Sequence, residues 1–164
     1  MDFGGSGITK ELFEWFFLNI PAGGRVLELG AGHVSTKYLS ERYDVYSVED
    51  KMEFLNIYHN NYIYAPIDPD TNWYAVGCLL KGLPLLYDCI LVDGPAGEGN
   101  RWGFYKNIEV FKSDIPIVID DTWRKAERDL LTAISRKLRR PYRMFENFGV
   151  VFPRYFQWVS STVR

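Results

Sequence analysis

Apolar and polar positions change period several times along the chain, and each change marks an element. After Thr9, the residues Leu12, Phe13, Phe16 and Phe17 recur at helical spacing. Lys10–Asn19 is therefore expected to be a helix capped by Thr9 and broken by Pro21 to Gly24. Val26-Leu27-Glu28-Leu29 is a short apolar strand interrupted by one carboxylate. Gly30-Ala31-Gly32 follows, then a helical stretch from Ser35 through Tyr38, Leu39 and Arg42. Asp44 to Val48 forms a second strand that ends on Glu49 and Asp50. Residues 51–60 bring Met52, Leu55 and Tyr58 roughly into line and predict another helix. Tyr62-Ile63-Tyr64-Ala65 predicts a third strand, residues 66–72 a loop, and residues 73–82 a helix.

Residues 87–93, Tyr-Asp-Cys-Ile-Leu-Val-Asp, form a nearly continuous apolar run, as expected of a parallel strand covered on both faces. Residues 100–111 predict a helix, 116–119 a fifth strand, and 122–138 a long amphipathic helix stopped by Pro141. Residues 142–147 and 149–152 predict a hairpin around Phe148-Gly149, and 156–163 reads as a last strand or a tail. Strands alternating with helices imply an α/β fold with a mostly parallel sheet, and the closing hairpin implies one antiparallel strand.

Composition narrows the classes. The 164 residues suit one domain: an N-terminal helix within 1–22, a core over 23–153, and a tail or last strand over 154–164. A hydrophobic content of 47% argues against disorder. No apolar run approaches the length of a membrane span, and the first residues lack the apolar stretch of a signal peptide. No membrane partner is expected. Cys78 and Cys89 have no metal-ligand spacing, and Cys89 is expected to be a buried small hydrophobe. A reduced, cytoplasmic setting is the expectation. From Arg124 onward there are ten Lys/Arg and three Asp/Glu, against nine and eighteen before it. This basic end, which includes Arg136-Lys137-Leu138-Arg139-Arg140, reads either as the solvated face and C-terminal turn of a helix or as a contact for nucleic acid or phosphate. No aromatic interleaving accompanies it, so the solvated face is favoured and nucleic acid is not an expected partner.

The order strand, glycine turn, helix, strand, acid builds a nucleotide-binding βαβ unit. Glycines let the backbone turn sharply, the helix start presents free N–H groups, and Glu49 can accept both hydroxyls of a ribose. Two residues choose the nucleotide. Ser35 stands where a dinucleotide fingerprint has its third glycine. Glu28, two residues before Gly30, would repel a pyrophosphate and welcome an ammonium group. S-adenosylmethionine carries an ammonium and no phosphate.

The segment Val26 to Gly32, VLELGAG, resembles the first motif of class I S-adenosylmethionine-dependent methyltransferases. Gly30-Ala31-Gly32-x-x-Ser35-Thr36 followed by Ser47-Val48-Glu49 resembles the subgroup of small-molecule and sugar O-methyltransferases. The resemblance implies a three-layer αβα sandwich with a seven-stranded sheet in the order 3-2-1-4-5-7-6, strand seven reversed. It also implies a cofactor site built from Glu28, Gly30, Ala31, Gly32, Ser35, Thr36, Glu49, Asp50, Ala65, Asp93 and Gly94. Glu49 would hold the ribose, Glu28 the methionine amino group, and Ala65-Pro66 would line the adenine pocket.

In an open α/β sheet, ligands sit beyond the carboxyl ends of the strands. Asp93 and the pair Asp120-Asp121 end neighbouring strands there, and three clustered carboxylates repel one another without a cation. Hard oxygen ligands suit Mg²⁺, which would polarise an acceptor hydroxyl. The arrangement resembles the metal-dependent O-methyltransferases of the catechol and antibiotic-sugar types, with Asp93, Asp120 and Asp121 as ligands. Alternatively, Asp121 caps the following helix and Asp120 is simply an acid at a strand end. Glu98 or Asp121 would serve as base, and Asp93 belongs to the catalytic set. Arg101, in the loop after Asp93, reads either as a partner for an anionic substrate or as a solvated side chain.

Asp93-Gly94-Pro95 lacks the aromatic that an adenine-directed amino methyltransferase needs for stacking. His33 and His59 read as ordinary polar residues, and Trp73 and Trp102 as core. The activity expected is O-methylation of a small hydroxylated metabolite or sugar. The alternatives are a non-catalytic module that binds the cofactor, or an RNA methyltransferase. A domain this short leaves little for a lid, so a second copy of the chain is a candidate to complete the pocket.

Overall fold

Period-two alternation sends successive strand residues to opposite faces of a sheet, and here both faces are apolar. The computed structural model describes residues 8–59, 61–97, 100–112 and 114–155. In chain order these form α1 (Lys10–Asn19), β1 (Arg25–Leu29), α2 (Ser35–Ser40), β2 (Asp44–Glu49), β3 (Tyr62–Tyr64), β4 (Ile67–Asp68), β5 (Trp73–Tyr74) and α3 (Val76–Gly82). There follow β6 (Cys89–Val92), α4 (Trp102–Lys106), β7 (Ile117–Asp120), α5 (Lys125–Leu138), β8 (Tyr142–Met144) and β9 (Phe148–Val151). The sheet runs β3-β2-β1-β6-β7-β9-β8, and β4 pairs only with β5 in a separate ladder. With that ladder set aside, the seven strands follow the expected order. β9 is antiparallel to both neighbours, and the other pairings on the β7 side are parallel.

Two cores result. Leu27, Leu29, Ile90, Val92, Ile117 and Ile119 face the side covered by α3, α4 and α5. Val26, Val45, Leu91, Val118, Phe148 and Val150 face the side covered by α1 and α2, together with Cys89. Trp73 belongs to the first core and Trp102 packs against it. No helix of the described residues is long and apolar enough to cross a membrane.

Several elements differ from the sequence pattern. In α1, Leu12, Trp15 and Phe16 are buried, whereas Phe17 is exposed and lies under the Arg42 guanidinium, 3.9 Å from its ring centroid. Residues 51–59 form only a 3₁₀ turn at Met52–Phe54. Met52 is 73% exposed and Asn56 has φ 56°, so this stretch buries no face and its backbone leaves the helical region. Trp73 and Tyr74 form β5, ahead of the helix expected from residue 73. The helix expected at 100–111 splits into α4 and a 3₁₀ turn at Ile108–Val110. The last hairpin turns at residues 145–147, where Phe145 N–H donates to the Phe148 carbonyl, not at Phe148-Gly149. The expected strand or tail at 156–163 lies outside the described residues.

Candidate functional site

The carboxyl ends of β1, β2, β6 and β7 open on one cavity of about 520 Å³. Its walls are the Gly30-to-Ser35 turn, Glu49 to Lys51, Phe54, Tyr74, Asp93-Gly94, Arg101, Asp121 and Arg124. The glycine turn is tight for a steric reason. Gly30 has φ +93°, and a Cβ there would stand 2.7 Å from the Gly94 backbone. The turn therefore lies directly against the loop that follows β6. Ala31 N–H donates to Glu49 Oε2 at 2.9 Å, and Lys51 N–H donates to Oε1 at 2.9 Å. Glu49 thus ties the turn to the end of β2. Burial raises its carboxyl above the ordinary value, against those N–H donors. Gly32 N–H donates to Thr36 Oγ1 at 2.8 Å, which closes the turn onto α2.

Glu28 does not line this cavity. It shares its face of β1 with Val26, so its carboxylate points under α2, where it is fully buried. Thr36 Oγ1 donates to its Oε2 at 2.8 Å, and Ser47 Oγ, on the register partner in β2, does so at 2.5 Å. Its Oε1 has no hydrogen-bond partner. Burial, only partly countered by those hydroxyls, pushes its carboxyl up to about 7. Thr36 and Ala65 are likewise buried beneath the cavity, whereas Ser35 and Asp50 line it.

At the ends of β6 and β7, one oxygen of each of Asp93, Asp120 and Asp121 lies within 4.8 Å of the others. Arg101 already occupies this cluster, being 4% exposed. Its Nη2 donates to Asp93 Oδ1 and to Asp121 Oδ2, both at 2.9 Å, and to the Asp93 carbonyl at 2.5 Å. Its Nη1 donates to the Asp120 carbonyl at 2.9 Å. Arg124 adds a second guanidinium, 3.1 Å from Asp121 Oδ2. Arg101 is therefore neither a solvated loop side chain nor a free partner for a substrate anion. Burial works against its charge, but Asp93 and Asp121 outweigh that and hold it charged. Burial, and then Asp93 and Asp121, raise the Asp120 carboxyl well above its ordinary range. Burial also raises Asp93, with Arg101 pulling the other way. Asp121 has φ 60°, and its Oδ1 accepts from Trp123 Nε1 at 3.1 Å, so its side chain does not cap α5, whose N-cap is Arg124. Glu98 lies outside the described residues.

The fit to a metal fails on this arrangement. A divalent ion bound by all three aspartates would have to displace the guanidinium that already bridges two of them.

Sequence reasoning missed Tyr74. Its hydroxyl is buried without a hydrogen-bond partner, although the residue lines the cavity, and a Cβ on Gly94 would lie 2.5 Å from that oxygen. Burial raises its pKa well above the ordinary value, so it is a neutral donor. The signal lay in Asp68 to Asn72, a turn in which Asp68 Oδ1 accepts from Asp70 N–H and Asn72 has φ 51°. His33 also lines the cavity, edge-on to Phe54 and Tyr58. His59 sits 3.1 Å from Ser47 Oγ and stacks on Tyr62, outside the cavity. In the basic end, Arg140 is buried and donates to the carbonyls of Ile115, Val151 and Phe152, while Lys137 pairs with Glu109 at 2.7 Å.

No protein-family profile matches the chain, and no curated protein matches it in sequence. Solved structures do share its fold. MycE methyltransferase from the mycinamycin biosynthetic pathway, in complex with Mg and SAH, is 16% identical, with a TM-score of 0.52 over 91% of this chain. The same enzyme with Mg, SAH and mycinamycin VI is 15% identical, with a TM-score of 0.58 over 90% of this chain. This chain spans about 50% of the length of the MycE chain. Precorrin 8w decarboxylase from Methanobacterium thermoautotrophicum is 14% identical, with a TM-score of 0.58 over 92% of both chains. At these identities the likeness is one of fold.

Proposed function

We propose that this domain binds S-adenosylmethionine and methylates an oxygen of a small hydroxylated molecule, a metabolite or a sugar. The observation that carries the reading is the convergence of the Gly30-Ala31-Gly32 turn, Glu49 and Asp93-Gly94 on one cavity of about 520 Å³. The residues suit the cofactor. Glu49 stands at the end of β2, where a carboxylate accepts ribose hydroxyls. The backbone at Gly30 and Gly94 offers close approach without side chains in the way. The MycE structures hold the demethylated cofactor on the same fold.

Bound there, S-adenosylmethionine supplies a methyl group already activated by its sulfonium, so the chain has mainly to position an acceptor and exclude water. Asp121 flanks the cavity with its side chain 23% exposed and is the carboxylate assigned to take the acceptor's proton. The Tyr74 hydroxyl, buried and unpartnered beside Gly94, is available to donate to a ligand oxygen. With Glu28 sealed beneath α2, the methionine amino group is assigned instead to Asp93, an acid of the cavity wall whose backbone, with that of Gly94, lies against Gly30. The metal assistance implied by the family resemblance is not carried forward, because Arg101 fills the carboxylate cluster.

Calorimetric titration with S-adenosylhomocysteine, with NAD as control, tests the reading. Micromolar binding of the homocysteine compound alone is expected. Glu49→Ala should weaken it by about tenfold or more, the scale of losing charge-assisted hydrogen bonds. Absence of binding, or equal binding of NAD, overturns the cofactor assignment.

A further inference from the structure

We propose that Arg101 is the built-in cation of this site and takes the place a divalent metal would hold among Asp93, Asp120 and Asp121. The inference rests on reading the cavity as the reaction site, and it assigns that site's electrostatics. The geometry has three parts. The guanidinium lies within hydrogen-bonding distance of carboxylate oxygens on Asp93 and Asp121, both at 2.9 Å. It also bonds the Asp93 and Asp120 carbonyls, so backbone at the ends of two neighbouring strands fixes its position. It is buried yet faces the cavity.

A planar fork bound on two edges to carboxylate and carbonyl oxygens is rigid, permanently charged, and unable to lose its proton near neutral pH. It does part of what a metal would do. It neutralises the repulsion among the aspartates, holds them in one arrangement, and keeps positive charge at the wall where an acceptor oxygen develops negative charge. Arg124 on Asp121 brings a second positive charge to three carboxylates. A Mg²⁺ added to this set would meet two guanidinium cations, with Asp93 Oδ1 and both Asp121 oxygens already engaged. Mg²⁺ also dehydrates reluctantly and demands near-octahedral geometry, so little drives the exchange.

The test uses the purified chain, Mn²⁺ as a paramagnetic stand-in for Mg²⁺, and the electron paramagnetic resonance signal of free Mn²⁺ at pH 8. It needs neither cofactor nor acceptor, so its outcome is independent of whether S-adenosylhomocysteine binds. Wild type is expected to leave the free signal unchanged through the low millimolar range. Arg101→Gln, which removes the charge and keeps a polar side chain, should gain one Mn²⁺ site with affinity about tenfold or more above wild type. Asp120→Asn in the same background should abolish it. Circular dichroism checks that each variant is folded. Arg101→Lys keeps a cation and should remain blind to Mn²⁺, so a soluble reference exists if the glutamine variant does not fold. Stoichiometric Mn²⁺ binding by wild type that Asp93→Asn removes overturns the proposal. So does a folded Arg101→Gln protein that gains no Mn²⁺ site.

Discussion

A single carboxyl group, that of Glu28, shows how strand parity decides what a residue can do. Its position two residues before Gly30 suggests a ligand contact, but the alternation that buries Val26 carries Glu28 under α2 with it. There it holds Ser47 and Thr36, and Thr36 in turn receives the Gly32 N–H, so Glu28 supports the glycine turn from beneath. This support has a pH signature. Burial raises the folded-state carboxyl to about 7 from its ordinary value of 4.5. Folding therefore binds a proton that the unfolded chain has released, and stability from this group is greatest below the unfolded value. It falls as the pH rises from about 4.5 to about 7 and stays at its lower level above that. At ~1.4 kcal/mol per unit, the loss is about 3 kcal/mol. Glu28→Gln cannot ionise, so its stability relative to wild type should climb by about that amount between pH 4.5 and pH 8. Urea unfolding of both proteins across that range measures it, and a constant difference would show that Glu28 is not held in its neutral form.

Elements follow the same logic one level up, through the surfaces they must cover. α4 lies flat on β5 because Gly103 carries no side chain where it meets the Trp73 indole, which is fully buried. A methyl at that point falls inside the ring system, and the indole has no room to withdraw. Gly103→Ala should therefore lower stability by about 1–3 kcal/mol despite its better helix propensity. The urea midpoint is the measurement, and an unchanged or higher midpoint would mean that α4 does not pack on Trp73 in this way. Such contacts also explain what the sequence can announce. β1, β2, β6 and β7 are legible because their apolar runs are long enough to show a period or a clear boundary. β4 and β5 are two residues each and show none. Residues 51–59 align apolar side chains without a surface to cover, so periodicity there overcalls a helix. The acids at the strand ends are legible as a cluster, because a carboxylate ending an apolar strand marks the open edge of the sheet. That Arg101 fills the cluster depends on the start of α4 coming to lie against the ends of β6 and β7, and no local pattern encodes that placement.

Across the whole molecule, charge divides into an acidic front and a basic end, and the two halves are put to different uses. The acids at the cavity edge are matched within the fold by Arg101, Arg124 and backbone N–H groups. The basic end is not uniformly a surface. Arg136 is exposed, but Arg140 is buried and binds the carbonyls of Ile115, Val151 and Phe152, joining the approach to β7 to the end of β9. Ser135 Oγ donates to the Arg140 carbonyl at 2.6 Å and fixes the chain as it leaves α5. Burial lowers the Arg140 guanidinium to about 10, which still leaves it charged at neutral pH. A residue so engaged is a tether between the last helix and the antiparallel edge of the sheet, not a contact for a phosphate backbone. Arg140→Met should leave those carbonyls without their donor and cost about 2–4 kcal/mol, whereas Arg136→Ala should stay within about 0.5 kcal/mol of wild type. Urea unfolding of the two variants separates the roles. Equal stability would release Arg140 to the surface and restore the whole basic run as an anion-binding face. A selective loss in Arg140→Met would mean that part of the run's charge is spent on closing the fold.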